Sequence, residues 1–188
     1  MRAKKVVIFL LFAAVLTFSL QPEPGERFFL GIWAGYFSQS DSDFREVYGS
    51  GGLCPELKTG IKVYKNLYLW CGYGYFSIKG ETQIFEEETT FSQHFLSLGP
   101  GFRVKLTPAI SFVGEIGIYQ VSYKEEALGE ELSGTAPGFR LNLGMMLSIS
   151  RNFFANISVS NLWASEKMEG VSFKLGGFKP GIGIGVRF

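Results

Sequence analysis

The sequence predicts an all-β protein: an eight-stranded antiparallel up-and-down transmembrane β-barrel, preceded by an N-terminal signal peptide. Three observations carry this. The chain is rich in aromatic residues and glycine, with 19 Phe, 8 Tyr, 3 Trp and 24 Gly among 188 residues, which suit pleated surfaces and close backbone approach. Its only periodicity is two, most clearly in the final stretch from Phe178 to Phe188. Its alternating segments are joined by connections that are short and long by turns.

At the amino terminus, Arg2, Lys4 and Lys5 precede an uncharged run over 6–18, followed by the polar 21–25. That is the layout of a secretory signal peptide. The run is too short to cross a bilayer as a helix, which takes about 20 apolar residues. Cleavage is expected after Ser19, giving a signal peptide at 1–19, a short leader at 20–26 and one barrel domain at 27–188. The full chain has 18 basic and 17 acidic residues; without Arg2, Lys4 and Lys5 the balance is 15 to 17, a net charge of −2. Nothing in that balance recruits nucleic acid.

Eight strands are expected at 27–38, 53–64, 67–79, 91–106, 109–123, 136–150, 153–164 and 171–188. Lys65-Asn66, Thr107-Pro108 and Arg151-Asn152 form tight turns. The connections at 39–52, 80–90, 124–135 and 165–170 are longer, polar and mostly acidic. If consecutive strands pair antiparallel, every short turn falls at one end and every long loop at the other, as in outer-membrane barrels.

The pleat assigns the faces. In the second segment Leu57, Thr59, Ile61 and Val63 oppose Glu56, Lys58, Gly60 and Lys62. In the third, Leu69, Cys71, Tyr73 and Tyr75 are assigned to lipid, which sends Gly72 and Gly74 inward. The fourth sets Leu96, Leu98, Pro100, Phe102, Val104 and Leu106 against Ser97, Gly99, Gly101, Arg103 and Lys105. The fifth sets Ile110, Phe112, Ile116 and Ile118 against Ser111, Glu115, Gly117 and Tyr119. In the sixth, Phe139, Leu141, Leu143, Met145, Leu147 and Ile149 oppose Arg140, Asn142 and Gly144. In the last, Phe178, Pro180, Ile182, Ile184, Val186 and Phe188 oppose Lys179, three glycines and Arg187.

Alternation alone fits a soluble lipocalin-like binder of an apolar ligand equally well, with the faces reversed. Volume decides between them: an eight-stranded barrel is only just wide enough to be filled by side chains, so the small and polar face goes inside. The interior is then expected to be polar, with a network around Glu115 that gathers Arg103, Arg140 and Lys179. Enclosed charges must be paired or hydrated, and so little bore remains that a plug is expected rather than a conducting path.

Cys54 and Cys71 invite a disulfide in an exported chain. Folding about Lys65-Asn66, however, sets Cys71 opposite residue 60 or 61, roughly 20 Å along the strand from Cys54. Two free thiols are expected. His94 is the only histidine, which excludes a metal site built on several histidines. No cofactor is expected, and the Gly-x-Gly patterns lie inside strands without the helix that phosphate cradling needs. Among the acidic loop residues, Glu86, Glu87, Glu88, Glu125, Glu126, Glu130 and Glu131 are candidates for surface interaction.

From 27 to 188 the chain resembles the small eight-stranded bacterial outer-membrane barrels of the OmpX and OmpA transmembrane-domain type. The resemblance rests on the glycine/aromatic alternation, the loop asymmetry and the last strand. It implies that Phe178, Ile182, Ile184, Val186 and Phe188 form the signal read by the barrel-assembly machinery. It also implies a monomer in the bacterial outer membrane, in contact with lipid and lipopolysaccharide and serving envelope integrity, adhesion or defence without catalysis. A lipid A-modifying enzyme is the alternative, since two kinds of lipid A enzyme are barrels of this size. Of these two kinds, a palmitoyltransferase and a 3-O-deacylase, the deacylase keeps a serine two positions after its histidine. Here His94-Phe95-Leu96-Ser97 has a spacing of three, which sends the two side chains to opposite faces.

Overall fold

The computed structural model describes residues 27–81, 88–127, 130–168 and 171–188. The expected signal peptide and leader lie outside them. Among the described residues the strands are β1 (Phe28–Gln39), β2 (Gly52–Tyr64), β3 (Leu67–Glu81), β4 (Glu88–Lys105), β5 (Ile110–Ala127), β6 (Glu130–Ser148), β7 (Phe153–Met168), β8 (Val171–Lys174) and β9 (Gly177–Arg187), with one helix, α1 (Ser42–Tyr48). Neighbours in sequence pair antiparallel, β6 pairs with β7, and β9 bridges β7 and β1, so eight strands close into a barrel. Strand β8 stands apart and, among the described residues, pairs with β7 alone.

Closure fixes the tilt. The series of cross-strand partners that leaves β1 at Phe29 passes through Gly60, Trp70 and Gly99, continues from Gly117 through Arg140, Leu162 and Gly177, and re-enters β1 at Gln39. A stagger of ten residues over eight strands corresponds to strands inclined by roughly 35–45° to the barrel axis.

The expected facing holds on every strand read. Ile32, Leu57, Leu96, Ile118, Ile157, Ile182 and Ile184 are exposed around the outside, while Glu56, Lys58, Glu115, Arg140 and Lys179 are buried. The third segment follows the same rule: Cys71, Tyr73 and Tyr75 point out, and Trp70, Gly72, Gly74 and Phe76 point in. Glycine is required where strands and rings crowd. A Cβ on Gly99 would lie 2.0 Å from the Ile116 carbonyl oxygen, and one on Gly183 would lie 2.4 Å from the Trp33 ring.

Aromatic residues ring the outside at two heights. Tyr36, Tyr73, Tyr75, Trp163 and Phe178 stand toward the long-loop end, and Phe28, Tyr64, Phe153 and Phe188 toward the short turns, all exposed. Between them lies the aliphatic belt, the arrangement by which a barrel meets both interfaces of a bilayer.

Three features depart from expectation. Several strands run further into the long-loop end: β4 starts at Glu88, β5 reaches Ala127 and β6 starts at Glu130. The acidic residues there extend the ladder above the belt because solvated charges are compatible with exposed hairpins. The 39–52 connection contains α1, whose Asp41 side chain accepts from Asp43 N at 3.0 Å and Phe44 N at 3.3 Å, and which Gly49 ends with φ 80° and an N–H to Arg45 O. The last segment is broken at Leu175-Gly176 rather than continuous, because Leu175 turns inward and is buried in the core.

Candidate functional site

The interior forms three storeys. Toward the long loops, Phe37, Phe76, Phe91, Phe95, Tyr119, Val121 and Leu162 fill the bore, with Phe44 and Tyr48 of α1 lying over them. The rings pack edge to face, Phe37 against Phe76 at 5.1 Å and Phe95 at 5.3 Å, and Phe44 stacks on Tyr48 at 4.6 Å. The Tyr48 hydroxyl donates to Glu125 and lies 2.8 Å from the Thr89 hydroxyl. Burial, reinforced by that bond to Glu125, raises the Tyr48 phenol above its ordinary value. The uniformly polar interior expected from the sequence is therefore corrected: the outer ends of β1, β3, β4 and β5 send aromatic rings inward.

The middle storey is charged. Arg140 reaches Glu56 with both terminal nitrogens, at 2.6 and 3.0 Å, and Lys179 donates to the same carboxylate. Glu115 instead accepts from Lys58 at 2.7 Å, Tyr68 at 2.9 Å and Asn142 at 2.8 Å. Ser160 joins the two halves, accepting from Arg140 at 3.1 Å and donating to Asn142 Oδ1 at 2.7 Å. The ammonium of Lys58 lies 4.8 Å from the Trp33 ring and 5.2 Å from that of Trp70. Two carboxylates and three cations are thus stitched across the bore, each with partners that offset the cost of removing it from water.

The expected interior residues are divided differently from the sequence reading. Glu115 shares a connected network with Arg140, but Arg140 and Lys179 belong to Glu56, and Glu115 is served by Lys58. Arg103 lies a storey lower, where its guanidinium approaches the Met146 sulfur at 3.8 Å. Tyr68, Asn142 and Ser160 were absent from the expected set. Asn142 lies on the inward face in the sequence reading; the inward turn of Tyr68 follows from the register adopted by β3.

In the lowest storey, Trp33, Val113, Met146 and Phe154 pack with Phe29 and Tyr68 around a cavity that opens at the short-turn end. Arg187 fastens this end: it donates to the carbonyls of Arg151 at 3.1 Å and Ser150 at 3.2 Å, while Asn152 donates to its own carbonyl.

On the outer face, Tyr73 and His94 share a 2.6 Å hydrogen bond and Tyr75 lies against the imidazole. Ser97 faces inward, buried, and donates to Gly72 O. The two side chains stand on opposite faces of β4, so they form no nucleophile and base pair. Cys54 is buried and Cys71 exposed, both free; Cys71 faces Thr59 in the ladder, five positions from Cys54. Among the described residues no group of His, Cys, Asp and Glu is arranged to hold a metal.

Of the expected surface acids, Glu88, Glu126 and Glu131 are exposed and Glu125 half-buried. Glu86, Glu87 and the Glu130 side chain lie outside the described residues. Part of this charge is matched locally: Lys79 pairs with Glu88 at 3.4 Å, and Lys124 with Glu131 at 3.0 Å as well as Glu126. The assembly-signal residues Phe178, Ile182, Ile184 and Phe188 are exposed, and Val186 is half-buried, all on the outward face of β9.

A closed barrel with an apolar belt outside and a packed interior is a transmembrane β-barrel. Its fold is that of the small eight-stranded outer-membrane barrels of the OmpA and OmpX type. No protein-family model matches the sequence, and no curated protein matches it. Among solved structures it is similar to Neisserial surface protein A, with 13% identity and a TM-score of 0.70 over 86% of this chain and 97% of that one. It is also similar to OprG from Pseudomonas aeruginosa, with 11% identity and a TM-score of 0.65 over 87% and 96%. The third is Ail from Yersinia pestis in complex with the heparin analogue sucrose octasulfate, with 15% identity and a TM-score of 0.55 over 87% and 97%.

Proposed function

We propose that the protein is an integral barrel of the bacterial outer membrane that acts without catalysis. On this reading it contributes to envelope integrity, or to surface contact through its long-loop end. The observation that carries this reading is the interior: a charged storey beneath an aromatic one, capped by α1, under a continuous apolar belt. Among the described residues such a packed interior leaves little bore for solute, and the loops form the variable surface.

Among the described residues, that outer end carries Asp41, Asp43, Glu46, Glu126 and Glu131 on exposed or half-buried positions. This sign favours divalent cations bridging lipopolysaccharide phosphates, or a basic surface, over a sulfated partner of the kind bound in the Ail structure. Assembly by the barrel-insertion machinery, directed by the outward residues of β9, belongs to the same reading. The test is electrophoresis of the outer-membrane fraction in SDS with and without boiling. A heat-dependent shift of a band in that fraction is expected; a soluble protein without a shift would overturn the proposal. Lipid A with the same mass spectrum in a deletion strain and its parent is the expected result for a barrel that is not a lipid A enzyme.

A further inference from the structure

The girdle toward the long loops is not uniform around the barrel. On β7, β9 and β1 it is carried by Trp163, Phe178 and Tyr36. Across β3, β4 and β5 it turns polar. One row of cross-strand partners sets Tyr75 beside His94 and His94 beside Ser122, and the next row down sets Tyr73 beside Leu96 and Leu96 beside Gln120. All six point outward, Ser122 half-buried and the others exposed. Beneath them Leu98 and Ile118, paired and exposed, continue the aliphatic belt.

The polar groups of this patch are arranged for a partner outside the wall. The Tyr73 hydroxyl meets His94 Nδ1 at 2.6 Å, and the Tyr75 ring lies 4.9 Å from the imidazole. The imidazole is thereby fixed, with Nε2 left for another group. Among the described residues, neither Gln120 nor Ser122 has a side-chain hydrogen bond within the protein. An amide at the margin of the apolar belt is costly unless something hydrogen-bonds it there.

The donor set selects the chemistry. A phosphate calls for charged donors, but the ammonium groups nearest above the patch, Lys79 and Lys124, are paired with Glu88 and with Glu126 and Glu131. A ring nitrogen, an amide and a hydroxyl together suit a neutral partner rich in hydroxyl groups. A hydroxyl both donates and accepts, so it can meet His94 Nε2 in either tautomer. The C–H face of a sugar ring, in turn, packs on the apolar face of an aromatic side chain such as Tyr75.

We infer that this patch binds the sugar headgroup of a glycolipid in the outer leaflet. His94, Gln120 and Ser122 hydrogen-bond the sugar hydroxyls, Tyr75 takes the apolar face of the ring, and Tyr73 positions the imidazole. The patch is continuous with the lipid-facing belt, so the acyl chains of the same molecule run down over Leu96, Leu98 and Ile118. The inference rests on the outer-membrane reading proposed above and gives the wall, rather than the loops, a partner.

His94 is the only histidine, so its imidazole gives nuclear magnetic resonance signals that need no further assignment. The purified barrel is placed in phosphatidylcholine nanodiscs with rising fractions of monoglucosyl diacylglycerol, phosphatidylglycerol or diacylglycerol, all with the same acyl chains. A saturable shift of the His94 signals is expected with the glucosyl lipid, at fractions where the other two give none. Gln120→Ala combined with Ser122→Ala removes two hydrogen bonds and is expected to raise the half-saturating fraction roughly tenfold. Tyr75→Leu raises it as well, and Tyr36→Leu, on the opposite wall, leaves it unchanged. Tyr73→Phe moves the two imidazole nitrogen signals before any glycolipid is added, the signature of the lost bond to Nδ1.

Three results would overturn the inference while leaving the outer-membrane reading in place, each in protein that keeps its heat-dependent mobility. The first is no saturable shift with the glucosyl lipid, and the second is equal saturation by phosphatidylglycerol or diacylglycerol. The third is a titration unaffected by the paired Gln120 and Ser122 substitutions. A soluble protein without the mobility shift would remove both.

Discussion

Arg140 on β6 and Glu56 on β2 meet across the bore in a two-pronged ion pair, with both side chains buried. They are not neighbours in the sheet; three strands separate them around the wall. The pair therefore ties opposite sides of the barrel together, and Lys179 makes it a triad.

Removing the shared carboxylate leaves two buried cations facing each other. Glu56→Gln is expected to destabilise the barrel by about 3–5 kcal/mol, the usual cost of stranding a buried charge. Adding Arg140→Met should recover part of that loss, since one stranded cation is then gone. Urea unfolding in lipid vesicles, comparing the single and double variants, measures both.

The two faces of β9 should respond differently to the same residue. Ile184, which is 60% exposed, points from the apolar belt, and Ile184→Arg is expected to cost up to about 2–4 kcal/mol through its position near the bilayer midplane. Gly183→Arg should fail to fold at all, because its side chain has to displace the Trp33 ring. Folding yield and unfolding free energy in vesicles separate the two effects; an Ile184→Arg barrel of unchanged stability would contradict the outward facing.

Alkali should loosen the cap before the barrel. The folded phenol of Tyr48 is raised above its ordinary value of 10.0, so the neutral form is the one the fold favours. Its contribution is fully present below the unfolded value and is lost as pH rises through the folded one. Amide exchange of α1 is therefore expected to accelerate above about pH 10. In Tyr48→Phe it should be faster already at neutral pH, the bonds to Glu125 and Thr89 being worth about 1–3 kcal/mol.

The two thiols should differ in access. Cys71 faces the belt and Cys54 the interior, so a charged maleimide is expected to label neither in the lipid-embedded protein. A lipid-soluble maleimide should label Cys71 alone. The intact mass should not change on reduction, and a shift consistent with a disulfide would contradict the register of β2 and β3.

Much of the wall was legible in the sequence because one physical rule governs it. A residue on a barrel strand faces either lipid or a crowded interior, and Leu96 against Ser97 or Ile184 against Gly183 can satisfy only one assignment. The charged storey was legible in membership but not in pairing. Glu115, Arg140 and Lys179 were all read as interior, yet which carboxylate each cation meets depends on the ten-residue stagger, a global quantity that no single segment carries. Glu56 and Lys58 were likewise read as near neighbours on one strand, whereas across the bore each finds a better partner. Helix α1 was missed although Asp41 offers a cap and Phe44, Val47 and Tyr48 recur at helical spacing. A seven-residue helix has little stability of its own, and only the aromatic storey beneath it makes the signal meaningful.

The seam between β1 and β9 has a kinetic consequence. Phe29 pairs with Arg187 and Leu30 with Val186, joining the first strand to the last, while the other wall contacts, β7 with β9 aside, link strands consecutive in sequence. Hairpins can therefore form early, each across a short turn, but the sheet keeps two open edges until this long-range pairing is made. Loop closure of that length is slow, and an open edge invites pairing with other chains. The chain must consequently spend its assembly as an unsealed sheet whose lifetime is set by one late event, so substitutions at the seam should act on the rate of maturation more than on the stability of the finished barrel.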